Sequence, residues 1–157
     1  MQIDRRSLMS LLPAVIAQGA MLSAVSETAS AQAAPAAASS KVLPSAVYEY
    51  ASLPVHASKE SVSRPVLKGK LATGESIEVH ETTLPPGGAP HPPHHHVHSE
   101  MWLIREGTVQ ITIEGKAYSM GPGAVGFVKS NEEHGITNRS DKSASYFVVA
   151  VGPGADA

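Results

Sequence analysis

At 157 residues and a formal net charge of −2, the chain has the length of one domain and no basic footprint for nucleic acid or an anionic membrane. It contains no cysteine, which excludes disulfides, thiolate metal ligands and a thiol nucleophile. Aromatic residues are only 4% of the chain, so the core has to be built mainly from Val, Ile, Leu and Ala.

Residues 1–33 read as a cleavable export signal. Asp4-Arg5-Arg6-Ser7-Leu8 opens an apolar run to Val25 that Pro13, Gln18 and Gly19 interrupt. Ala29-Ser30-Ala31 and Ala31-Gln32-Ala33 are small-residue cleavage sites. Paired arginines ahead of a weak apolar stretch resemble a bacterial twin-arginine signal. The run is too polar to span a bilayer comfortably, so no stable membrane insertion is expected after cleavage. The expected location is periplasmic or secreted. An Ala-rich linker, 34–45, then leads into one domain over 46–152.

That domain reads as short strands. Val47 to Leu53, Val66 to Leu71 and Ser76 to Thr83 come first. Met101 to Arg105, Thr108 to Ile113, Lys116 to Met120, Ala124 to Val128, Gly135 to Thr137 and Ser145 to Val151 follow. Turn signals separate them, among them Pro85-Pro86-Gly87-Gly88, Glu114-Gly115 and Gly121-Pro122-Gly123. Many short strands joined by tight turns imply an all-β sandwich or barrel. In Thr108 to Ile113 the alternation puts Val109, Ile111 and Ile113 on the buried face.

Five histidines lie between His91 and His98. Pro92-Pro93 forces extended backbone into His94, so His94 and His96 should share one face of a strand and His95 take the other. Val97-His98-Ser99 is short enough for a hairpin turn, and the returning strand would place Glu100, Trp102 and Ile104 inward. Parity thus nominates His94, His96 and Glu100 and rejects His95. Imidazole and carboxylate together suit a divalent transition metal.

The spacing Gly88-x5-His94-x-His96-x3-Glu100-x6-Gly107 resembles the first motif of the cupin superfamily. The second motif, Gly-x5-Pro-x-Gly-x2-His-x3-Asn, aligns with Gly123, His134 and Asn138, with Lys129 in place of Pro and Asn131 in place of Gly. Asn tolerates the left-handed conformation such a turn needs. The resemblance covers roughly Ser76 to Val151 and implies a double-stranded β-helix (jelly-roll) barrel. It implies His94, His96, Glu100 and His134 as ligands of one divalent transition metal ion (Fe, Mn, Ni, Cu, Co or Zn). It also implies a homodimer paired through an N-terminal strand, for which Val47 to Leu53 is the candidate.

Four protein ligands leave positions for a small oxygenated molecule. The leading expectation is therefore an exported mononuclear metalloenzyme with dioxygenase-type oxidation, or related isomerase or lyase chemistry. The alternatives are a non-catalytic module holding a small, sugar-like ligand, and sequestration of metal by exposed histidines. Tyr118, Tyr146, Gln110 and His98 are equal by position as acid or base. His91, His95 and His98 are expected at the surface or beside the ligands, and His56 and His80 at the surface. Asn138 is expected to be a hydrogen-bonding strand residue and Trp102 to line the pocket or core.

The leader makes its own test. Replacing Arg5 and Arg6 together by Lys keeps the charge and removes the twin-arginine signature, so precursor should accumulate in the cytoplasm, as read by immunoblot of cell fractions. Normal export of the double variant would point to a general secretory signal.

Overall fold

The computed structural model describes residues 42–157, so the expected leader lies outside the described residues. Nine strands run in chain order: β1 His56–Ala57, β2 Val62–Lys70, β3 Ser76–Leu84, β4 Ser99–Glu106, β5 Val109–Ile113, β6 Lys116–Met120, β7 Val125–Val128, β8 His134–Thr137 and β9 Ala144–Val151. They form a six-stranded sheet of order β1-β2-β3-β9-β4-β7 and a three-stranded sheet of order β6-β5-β8. Every strand pair is antiparallel. The two sheets make a jelly-roll barrel whose core includes Trp102, Ile104, Val109, Ile111, Ile136, Tyr146 and Val148. The expected inward faces of β4 and β5 are those found: Trp102 and Ile104 on one, Val109 and Ile111 on the other, are all buried.

Two expectations about local structure are corrected. Val47 to Leu53 is not a strand, since its one regular element is a 3₁₀ turn, Tyr50–Ser52. Tyr50 explains the difference. Its ring lies between the guanidinium groups of Arg64 and Arg105, at 4.9 and 4.5 Å. Its hydroxyl donates to Glu81 at 3.4 Å. These contacts hold the segment on the outer face of the larger sheet, where side chains fix it and no ladder does.

The second correction concerns residues 91–98, which make no strand and no hairpin with β4. The segment carries a single isolated bridge, His94 with His134. Pro92 and Pro93 have no N–H to give a ladder, so pairing cannot continue back from His94. The chain instead crosses from β8 in one sheet to β4 in the other. The turn before β8 behaves as expected, with Asn131 in the left-handed region at φ 64°. Gly107 is needed for two reasons: its φ is 73°, and a Cβ there would stand 2.6 Å from the carbonyl oxygen of Ser143.

On the outer face, Glu81 is fully buried, and its carboxylate accepts from Arg64 at 3.1 Å and from Thr83 at 3.0 Å. Removing one partner of such a pair strands a charge in a poorly hydrated place. Arg64→Ala should therefore destabilise the full chain by about 3 kcal/mol in urea unfolding, and adding Glu81→Leu should recover most of the loss. Equal losses in the single and double variants would mean that the pair does not hold this face.

Candidate metal centre

His94 and His134 are locked together by backbone. The His94 N–H donates to the His134 carbonyl at 2.9 Å and the His134 N–H returns to His94 at 2.8 Å. The Asn131 N–H donates to the His96 carbonyl at 2.8 Å, which fixes the next ligand position. As parity requires, His94 and His96 are half-buried and His95 is exposed. Glu100 enters from β4 in the opposite sheet, two residues before the buried Trp102.

The imidazole rings close on one another. Ring centroids are 5.2 Å apart for His94 and His96, and 4.7 Å for each of them with His134. One nitrogen from each ring falls within a cluster whose members all lie within 4.8 Å. Glu100 Oε1 is 3.5 Å from His96 Nε2, and Oε2 is 3.4 Å from His134 Nε2. Two donors bound at about 2.0–2.2 Å around one ion stand roughly 3 Å apart, so these separations suit a shared cation.

Hydrogen bonding fixes which nitrogens are available. His96 Nδ1 meets the His98 carbonyl at 2.9 Å, and His134 Nδ1 meets the Glu132 carbonyl at 2.8 Å. A carbonyl only accepts, so each Nδ1 carries the proton and each Nε2 keeps its lone pair. His96 Nε2, His134 Nε2 and His94 Nδ1 are buried without a hydrogen-bond partner. A buried polar atom left unsatisfied costs about 1–3 kcal/mol, so three aimed at one point describe a site that a metal ion completes. The donor set therefore fits the ion that the resemblance implies.

The electrostatics agree. Burial, reinforced by the neighbouring His91, His134 and His96, lowers the His94 pKa to about 4, which keeps it a neutral donor. Burial alone would raise the Glu100 carboxyl, but contact with His134 and the charges of His96, His134 and His98 outweigh it and hold the group below its usual range. For His134, burial would lower the pKa, and Glu100 and the Glu132 carbonyl raise it instead.

Glu100 and His134 also line a cavity of about 200 Å³, together with Trp102, Tyr146, Thr82 and His80. His80 is a correction to the surface expectation. It lies on β3, half-buried, with Nδ1 held by the Glu78 carboxylate at 2.8 and 3.0 Å. The Glu-x-His spacing was a visible signal that both share a face. That this face points inward depends on which strands flank β3.

Of the acid or base candidates, Tyr146 lines the cavity, and burial raises its pKa so that it stays a neutral phenol. Tyr118 is exposed against Lys116, and Gln110 faces a separate hollow with Arg139. His98 stacks on His96 with centroids 3.5 Å apart. Asn138 is fully buried and donates to the carbonyls of Leu84, Pro85 and Lys142, as expected for a structural residue.

Metal analysis of purified variants tests the donor set. His94→Ala, His96→Ala, Glu100→Ala and His134→Ala should each lose most bound metal, and His95→Ala should keep it. Equal loss in His95→Ala would indicate a flexible histidine tract in place of a built centre.

Residues 80–150 match the family model described as the cupin domain. Among curated proteins the chain is similar to the L-ectoine synthase of Bordetella petrii, 41% identical over 75 residues, which is 46% of this chain and 54% of that one. The L-ectoine synthase of Bordetella avium is 40% identical over the same length. The chain thus spans about half the length of the curated relatives it matches. Among solved structures, an RmlC-like cupin from Shewanella frigidimarina superposes with a TM-score of 0.58 at 14% identity, over 71% of this chain and 96% of that one. The polyketide cyclase RemF from Streptomyces resistomycificus gives 0.56 at 20% identity, over 69% and 80%. At such identities the structures speak for the fold alone, and fold, motif and family model agree: the chain carries a cupin domain over residues 80–150.

Proposed function

We propose that the protein is an exported, mononuclear metal-dependent enzyme acting on a small oxygenated substrate, with dioxygenase-type oxidation as its lead chemistry. The observation that carries this reading is the convergence of three unpartnered imidazole nitrogens and the Glu100 carboxylate beside a cavity that also holds His80. A divalent transition ion held by His94, His96, Glu100 and His134 would supply Lewis acidity and, if redox-active, oxygen chemistry. The paired arginines of the leader support export, and a homodimer belongs to the same proposal.

The chain's own residues supply the rest. A cavity of about 200 Å³ falls below the roughly 300–1,000 Å³ typical of drug-sized ligands, so the substrate is a small metabolite. Trp102, Ile136 and Val148 line it and limit water at the reacting atoms. A carboxylate only accepts, so Glu78 keeps the proton of neutral His80 on Nδ1 and leaves Nε2 as acceptor. His80 is thereby set to take a proton from a substrate hydroxyl, with Glu78 stabilising the imidazolium that forms. Tyr146, kept neutral by burial, remains a hydrogen-bond donor.

The likeness to L-ectoine synthases favours a second reading, a synthase reaction at the same centre. A non-catalytic binding module is the third.

Oxygen-electrode assays separate them. The full chain loaded with Fe, Mn, Ni or Cu should consume oxygen with at least one of a panel of enediols, catechols and hydroxylated aromatics. Glu100→Ala should abolish the activity, and His80→Gln should lower turnover by roughly 10²–10⁴-fold. Ligand-dependent thermal stabilisation with neither oxygen uptake nor product would sink the dioxygenase reading and leave the synthase and binding readings.

A further inference from the structure

Resting on the metal reading above, we propose that the centre has a second, outer metal position made by His96, His98 and Glu100, through which an ion passes to the inner one. Among the described residues two donor groups of this kind occur, and they overlap. One nitrogen each from His94, His96 and His134 forms the inner group; His96, His98 and Glu100 form the other, again with all donor atoms within 4.8 Å. The inner group includes the buried His134, whereas every member of the outer group is only partly buried. The outer position therefore lies on the solvent side.

The shared residue gives the passage its chemical route. An ion arriving from water must exchange bound water for protein donors, and losing several at once is costly. The two groups share His96, and the Glu100 carboxylate of the outer group also reaches the inner one, 3.5 Å from His96 Nε2 and 3.4 Å from His134 Nε2. An ion held by these two can give up His98 and gain His94 and His134 without release. His98 is already in place, its ring stacked on His96 at 3.5 Å between centroids and 18° between planes. The hydrogen bond that holds His96 Nδ1 is made to the His98 carbonyl and not to its side chain. Removing the His98 ring thus deletes the outer donor and spares the hydrogen bond that shapes the inner site.

Stopped-flow mixing of Co(II) with the metal-free full chain, followed by the visible absorption of the bound ion, tests the route. His98→Ala should slow association and dissociation several-fold and by the same factor, with Kd unchanged, because a stop on the path alters both directions equally. His98→Gln should behave alike, with circular dichroism reporting an intact fold. His134→Ala should keep weak Co(II) binding that the double variant His134→Ala/His98→Ala loses. Wild-type rates in both His98 variants would overturn the proposal. So would a large rise in Kd, which would make His98 a resident ligand. Undiminished affinity in His134→Ala would instead refute the inner centre itself.

Discussion

The pair of backbone hydrogen bonds between His94 and His134 is the constraint on which the centre depends. The histidine segment has no ladder of its own, because two prolines stand where its donors would be. Pinning it to β8 by main chain, and not by side chains, leaves the imidazole nitrogens free. Carbonyls of His98 and Glu132 then take the Nδ1 protons of His96 and His134. Three lone pairs end up buried and directed inward, a costly arrangement that a cation relieves.

The larger sheet supplies everything opposite those imidazoles. Its register puts Glu78, Ala150 and Glu100 in one row across β3, β9 and β4, and His80, Val148 and Trp102 in the next. Adjacent strands lie about 4.8 Å apart, so the His80–Glu78 pair stands roughly 10 Å of backbone from the carboxylate ligand. Val148, between His80 and Trp102 in the second row, lines the cavity with them. The cavity has the candidate donors Glu100 and His134 in its wall together with the oriented His80 imidazole.

Strand β3 shows how one sequence segment serves two ends. His80 and Thr82 line the cavity, with Glu78 on the same strand face holding His80, while Glu81 faces outward, buried under Tyr50 and paired with Arg64. The outward carboxylate is structural, satisfied by three donors and remote from the chemistry. The inward one is held against a histidine with an open face. Side-chain type is the same in both, and only the surroundings differ.

The sequence by itself determined strands β2 to β9, the inward faces of β4 and β5, and the candidate donors, because period-two alternation and turn residues are local properties. Parity alone told His95 from its neighbours, and the Asn at position 131 was legible as a left-handed turn residue. The tertiary structure decided what depends on partners distant in the chain. Sequence could not show that Val47 to Leu53 is held by two guanidiniums, nor that residues 91–98 cross between sheets in place of forming a hairpin. It likewise could not turn His80 inward, since Ile77 and Val79 share the opposite face of β3 and local alternation would put the polar Glu78 and His80 outside. Nor could it bring His98 over His96, a contact made by the crossing itself. Local sequence sets which face a side chain takes; only the order of strands in the sheets sets what that face meets.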